Sequence, residues 1–163
     1  MSAERRFTQL DVFTDRALLG NPLAVVHAAD GLSDERMAAF ARWTNLSETT
    51  FLLAPTEPGA DYRVRIFTPT VELPFAGHPT LGSCHAWLAA GGRPQRTGEV
   101  VQQCGVGLVR IRRDGTRLAF AAPGRHRIAA RPRRCAAAAR RRPARRGNCP
   151  GSDGRRKAAR PSA

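Results

Sequence analysis

The chain has 163 residues, 42% of them hydrophobic, and a formal net charge of +14 from 27 Lys and Arg against 13 Asp and Glu. No stretch approaches the roughly 20 consecutive apolar residues of a membrane span, and charges occur where a signal peptide has its apolar block, so the expectation is a cytoplasmic protein with no membrane partner. Cys84, Cys104, Cys135 and Cys149 show neither CxxC spacing nor dense packing, which argues against a disulfide framework or structural zinc and leaves reduced thiols as the expectation.

The charge is unevenly spread. Up to Gly124 there are 13 Arg against 12 acidic residues, whereas from Arg125 onward 13 Arg and Lys157 face Asp153 alone. Apart from alanine, the apolar residues of that second segment are Ile128, Cys135 and Cys149. Ordering a residue costs roughly 1 to 2 kcal/mol of backbone entropy, and a segment with so little to bury cannot offset it, so disorder is expected after about residue 124. This gives a folded domain at 1–124 and a disordered Arg/Ala/Pro-rich tail at 125–163. The tail composition is also what a GC-rich coding region yields when read out of frame, so a frameshift is its expected origin.

Within the first segment, Phe7, Gln9, Asp11 and Phe13 alternate with Thr8, Leu10 and Val12, which predicts a strand over 6–13. A loop closing on Gly20-Asn21-Pro22 leads into a short apolar strand at 23–27. Ser33 followed by Asp34 and Glu35, with Met37, Phe40, Ala41 and Thr44 at helical spacing, predicts an amphipathic helix over 34–44. Strands at 49–54 and 62–68 follow, both expected to be half-buried, the second with Arg63 and Arg65 on one face and Val64 and Ile66 on the other. Pro79 to Ala90 carries no formal charge with His85 neutral, and its apolar residues surround the cylinder, which predicts a buried helix stopped by Gly91-Gly92. Strands at 98–103, 106–112 and 116–122 complete the series, the last two joined at Asp114-Gly115. The order implies an α+β fold in which a sheet wraps one central helix.

Two segments could carry chemistry. Gly77-His78-Pro79-Thr80-Leu81-Gly82 opens the buried helix, with Pro79 suited to the first helical position and His78 then at the cap. Histidine caps poorly, so the amides of Thr80 and Leu81 would be left for a ligand carboxylate at the positive end of the helix. The bland alternative satisfies these amides with Thr80 or water and treats His78 as a packed turn residue. A phosphate loop would need a following Lys and Ser/Thr that are absent, and His78, Cys84 and His85 have the wrong spacing for a metal on one helix face. In the second segment, Asn45 to Phe51, Glu48 stands among polar neighbours at the mouth of an apolar strand. A carboxylate withdrawn from water there can exchange protons near neutral pH, but on spacing alone a solvated Glu at a strand end is the better description.

The runs Val12-Phe13-Thr14 with Gly20-Asn21-Pro22-Leu23-Ala24-Val25, Asn45-Leu46-Ser47-Glu48-Thr49-Thr50-Phe51, and Arg65-Ile66-Phe67-Thr68-Pro69 with Glu72 to Gly82 resemble the PhzF-like phenazine biosynthesis family in order and spacing. The resemblance covers about residues 6–124. It implies a diaminopimelate epimerase-like fold with a curled, mostly antiparallel sheet around a central helix, in a protein of two such domains with the active site between them. It further implies Glu48 as the acid/base residue, Gly77 and His78 as substrate contacts, and Asn21 near the cleft, with Thr80 and Leu81 at the helix start. The implied reaction moves a proton and a double bond on a small carboxylated substrate, with no metal or organic cofactor, in a family whose intact members are homodimers. Relatives that use a thiol carry cysteine where this chain has Ala76, so two-thiol epimerisation is disfavoured, and Cys84 is expected in the core.

Nothing from Arg125 to Ala163 matches the acidic residue and D-P-A-T-G-S-like loop of the family's second domain. The chain therefore reads as an isomerase by lineage, impaired by a missing half of its cleft. The alternatives are an inactive fragment, or a polyanion binder whose arginine tail attracts nucleic acid without sequence preference.

Overall fold

The computed structural model describes residues 4–122, so the expected disordered tail lies outside the described residues. Ten elements follow in order. They are β1 (Phe7–Val12), β2 (Asn21–Val26), α1 (Asp34–Thr44), β3 (Glu48–Leu53), β4 (Tyr62–Phe67) and β5 (Glu72–Leu73). Then come α2 (Gly77–Ala89), β6 (Glu99–Cys104), β7 (Gly107–Asp114) and β8 (Arg117–Phe120). One sheet runs β1-β2-β3-β4-β6-β7-β8, with β5 paired to β4. Its pairings are antiparallel except β2 with β3 and β4 with β6.

The α2 helix touches β1 at one edge of the sheet and β8 at the other, as well as β2, β3 and β6 between them. A flat sheet cannot present both edges to one helix, so the sheet curls around α2. The cause is the helix sequence: with no formally charged side chain, α2 is driven to bury itself on nearly every side. Leu23, Val25, Leu52, Tyr62, Val64, Ile66, Val100 and Ile111 line the inner face and enclose Cys84 and Ala86. His85 and, in the last turn, Ala89 are the exposed residues of the helix.

A second, outer core lies under α1, where Met37 and Ala41 meet Val26, Phe51, Leu53 and Phe67. This layer corrects the expectation that β3 is half-buried: its residues from Thr49 to Leu53 are all buried, because α2 covers one face and α1 the other. The second expected half-buried strand, β4, does alternate, with Arg63 and Arg65 outward and Tyr62, Val64 and Ile66 inward. Arg65 bonds both oxygens of Glu72 at 2.7 Å and Asp34 at 2.6 Å, tying β5 and the start of α1 to β4.

Helix α1 has the predicted bounds. Ser33 caps it by accepting from the Arg36 amide, and Asn45 ends it at φ +52°. Helix α2 starts two residues earlier than expected, at Gly77. The final hairpin is shifted by one residue: Asp114 pairs with Arg117, so the two-residue loop is Gly115-Thr116 rather than Asp114-Gly115. Gly115, at φ +58°, takes the first loop position, as a type II′ turn requires.

Gly82 marks the closest approach of α2 to the sheet. A Cβ there would fall 2.5 Å from Leu23 Cδ2 and 2.9 Å from Val12 Cγ2, whereas at Gly77 it would meet only Phe120 Cζ, at 3.5 Å. Gly82→Ala should therefore cost about 1 to 3 kcal/mol through forced shifts of the helix or its neighbours. Chemical denaturation of Gly82→Ala beside Gly77→Ala checks this; equal stability in the two would contradict the close approach.

Candidate active site

Strands β2 and β3 run parallel, with Leu23 opposite Glu48, so Asn21 at the head of β2 and Glu48 at the head of β3 lie at the same end of the sheet. Ser47 donates to Asn21 Oδ1 at 3.4 Å across the same gap. The α1 helix delivers this carboxylate: its left-handed stop at Asn45 turns the chain into β3 within three residues. The first turn of α2 arrives from the inside of the curl. His78 Nε2 lies 3.3 Å from Glu48 Oε2, with side-chain exposures of 9% and 16%.

Neither Nε2 nor Oε2 makes a hydrogen bond, to the other or to any other described residue. The backbone carbonyl of Pro22 acts on the same ring and favours its protonated form. A neutral imidazole that carries its proton on Nδ1 turns the lone pair of Nε2 toward a carboxylate oxygen here. The two atoms attract only when one proton stands between them. Facing acceptors at this distance are therefore a seat for a single mobile proton, and such contacts shorten when substrate closes a site.

The His78 pKa is lowered from the ordinary value of 6.5, first by burial, with the neighbouring Glu48 and the Pro22 carbonyl pulling it partly back up. The imidazole is thus kept neutral, able to accept a proton and pass it on. Cys84, by contrast, is fully buried on α2, and burial pushes its thiol up to about 12. It is a core residue, as expected from its place in the helix.

The cap of α2 differs from the expectation. Ala76, not His78, occupies the cap position, in an extended conformation at φ −151°, and no side chain caps the helix. The amides that lack an intrahelical acceptor are consequently those of Gly77 and His78. Pro79 removes what would have been the next orphan donor. The Thr80 amide, expected to be free, donates to Ala76 O at 3.2 Å. Leu81 lies a full turn in, where an α-helical amide bonds to the carbonyl four residues back, and its half-buried side chain packs on the inner core. Asn21, Glu48, Gly77 and His78 are brought together, while Thr80 and Leu81 face the interior.

Sequence reasoning missed the Pro22 carbonyl, which favours the protonated His78 ring, because nothing in the residue type marks a carbonyl as a partner. It also missed a buried polar chain beneath the helix start. Tyr62 O–H donates to Gln102 Oε1 at 2.9 Å, Gln102 Nε2 donates to Thr80 Oγ1 at 3.1 Å, and Thr80 Oγ1 donates to Ala76 O at 2.9 Å. A second link joins Ser83 to Thr50 at 2.9 Å, two residues beyond Glu48. A polar residue at an inward position of an apolar strand, as Gln102 is in β6, was the available signal. Among the described residues no cluster of three or more His, Cys, Asp or Glu side chains could hold a metal ion, and no helix is long and apolar enough to cross a membrane.

A curled sheet around a buried helix, with a carboxylate and an imidazole meeting at the helix start, defines the class: an α+β domain of the diaminopimelate epimerase-like fold. The chain belongs to the PhzC-PhzF family, described as phenazine biosynthesis-like protein, whose family model matches residues 10–136 and so runs past the compositional boundary at 124. It is similar to Antisense-enhancing sequence 1 of Schizosaccharomyces pombe, 51% identical over 112 residues that cover 69% of this chain and 38% of that protein. It is also similar to the trans-2,3-dihydro-3-hydroxyanthranilate isomerase of Pseudomonas aeruginosa, 54% identical over 81 residues, 50% of this chain and 29% of the isomerase. Among solved structures, the Bacillus anthracis phenazine biosynthesis protein of the PhzF family superposes with a TM-score of 0.60 at 31% identity, over 68% of this chain and 36% of that one. The match thus spans about two fifths or less of each of these proteins.

The electrostatics predict a direction of pH dependence. His27, bonded to Thr8 at 3.0 Å, also has a lowered pKa, from burial first and the Arg6 charge second. With both folded values below 6.5, the unfolded chain binds more protons than the folded one as pH falls through that value. Stability contributed by the two neutral rings is complete above about 6.5 and declines as pH drops toward the folded values. Thermal melts of the parent and of His27→Gln/His78→Gln should show a shallower acid decline in the double variant between pH 7 and 5. Parallel declines in the two would contradict the assignment.

Proposed function

We propose that the site moves a proton and a double bond on a small carboxylated substrate, as an isomerase without a nucleophilic thiol. Glu48 takes a proton from a substrate carbon; the released electron pair forms the new double bond, and the old one opens as a proton returns at another carbon. His78 relays that proton through Nε2. The amides of Gly77 and His78, at the positive end of α2, hold the substrate carboxylate, and Asn21 borders the same opening. The observation that carries this reading is the buried Oε2 to Nε2 contact of 3.3 Å, with both atoms otherwise unpartnered.

The relatives support the reaction class, since one similar protein is named as an isomerase of trans-2,3-dihydro-3-hydroxyanthranilate. Ala76, extended and ahead of the helix, leaves no thiol at the position where a two-cysteine mechanism would need one. The proposal concerns what this chain contributes to the site: the acid/base pair and the carboxylate donors. Full turnover would also draw on groups supplied by the length of the relatives that the match does not span.

The test is deuterium incorporation from heavy water into trans-2,3-dihydro-3-hydroxyanthranilate, catalysed by the chain and by Glu48→Gln. The chain should exceed the buffer rate, and the variant should lose about 100-fold or more of that excess, the range for a general acid/base group. Equal rates in the two proteins remove Glu48 from the mechanism. A parent rate equal to buffer refutes catalysis by this chain.

A further inference from the structure

The carboxylate-holding reading above leaves open what aims the Gly77 amide, and the buried chain beneath α2 supplies an answer. We propose that Gln102, acting through Thr80, is a positioning residue that presets the Gly77 N–H as an anion donor. Tyr62, Gln102 and Thr80 are essentially without solvent exposure, so each polar atom must find its partner inside the protein. They do so in a single direction. Tyr62 O–H fills Gln102 Oε1, which turns the amide nitrogen of Gln102 toward Thr80 Oγ1. The Thr80 hydroxyl, accepting there, has its one hydrogen free for Ala76 O.

Ala76 O therefore receives two donors from Thr80, the hydroxyl at 2.9 Å and the amide at 3.2 Å. That carbonyl belongs to the same planar unit as the Gly77 N–H, on its opposite side. Holding the carbonyl inward along the helix fixes the N–H outward, past the uncapped end of α2. The three bonds run head to tail, so each polarises the next and the last polarises the Ala76-Gly77 peptide, which strengthens the N–H as a donor. Thr80 thus serves the site from behind rather than by touching substrate. The need for this device follows from the cap: Ala76 has no side-chain oxygen to fix the first turn, and Gly77 has no side chain to restrain its own backbone.

The test uses the 163-residue chain, nitrogen-15 labelled, with sodium benzoate as the carboxylate probe. In the unsubstituted chain, benzoate should shift the Gly77 amide resonance; no shift sinks the carboxylate-binding reading itself. The positioning role is read separately, without ligand. Thr80→Val keeps the shape and loses the hydroxyl, and should move the Gly77 amide proton upfield and weaken benzoate binding about tenfold, the loss expected for one buried hydrogen bond. Thr80→Ser restores the hydroxyl and should restore both. Tyr62→Phe removes one O–H at the far end with little change of volume, and should displace the Gly77 resonance in the same direction by a smaller amount. It stands in should Thr80→Val fail to fold. A Gly77 resonance indifferent to Thr80→Val or to Tyr62→Phe overturns the proposal, as does a Thr80→Ser protein that behaves like Thr80→Val.

Discussion

Enclosing α2 is the constraint on which the rest of the fold depends. A helix of thirteen residues with no formally charged side chain gains stability only by losing contact with water on most of its surface. A helix lying on a flat sheet buries one stripe; this one requires a sheet that bends until both edge strands reach it. The consequences appear in single residues. Gly82 lets the helix backbone come close to Leu23 and Val12. Polar side chains that the helix carries into the interior find partners there, Thr80 with Gln102 and Ser83 with Thr50.

Enclosure also explains why chemistry sits at one end of the helix. Inside the curl, polar groups are paired and the one thiol on α2, Cys84, is held protonated by burial. At the helix start the pairing stops. Ala76 provides no cap, Pro79 has no amide proton, and Glu48 and His78 face each other with unsatisfied atoms. Unsatisfied buried groups cost stability, and of the three such side-chain atoms among the described residues two, Glu48 Oε2 and His78 Nε2, lie where a substrate can relieve that cost, the third being Arg63 Nε. The geometry of the pair then divides the labour. The carboxylate sits at the head of a strand buried on both faces, and the imidazole on the enclosed helix with Nε2 turned to the carboxylate.

Much of this was visible in the residues before any coordinates. The α1 helix could be bounded from Ser33 and the acidic first turn, because capping is a local interaction written in adjacent positions. The burial of α2 followed from its lack of charge. The Glu48 and Gly77-His78 segments were singled out by residue type and by resemblance, and the fold brings them together. What could not be read was set by partners distant in sequence. The double burial of β3 depends on α1 and α2 covering opposite faces. The cap of α2 moved from His78 to Ala76 because the hydroxyl of Thr80 and the chain behind it hold the Ala76 carbonyl, and Gln102 lies 22 residues from Thr80. The hairpin slipped by one residue because pairing of Asp114 with Arg117 continues the ladder and leaves Gly115, free to take positive φ, at the first loop position.

The central claim is that Glu48 and His78 share one proton at the start of the buried helix. Nitrogen-15 resonances of the His78 ring, followed from neutral to acid pH in the unsubstituted chain and in Glu48→Gln, test it most directly. The account predicts that His78 takes up its proton at a lower pH in Glu48→Gln than in the unsubstituted chain, because the Glu48 charge raises the pKa that burial lowers. A His78 titration that Glu48→Gln leaves unchanged would contradict it.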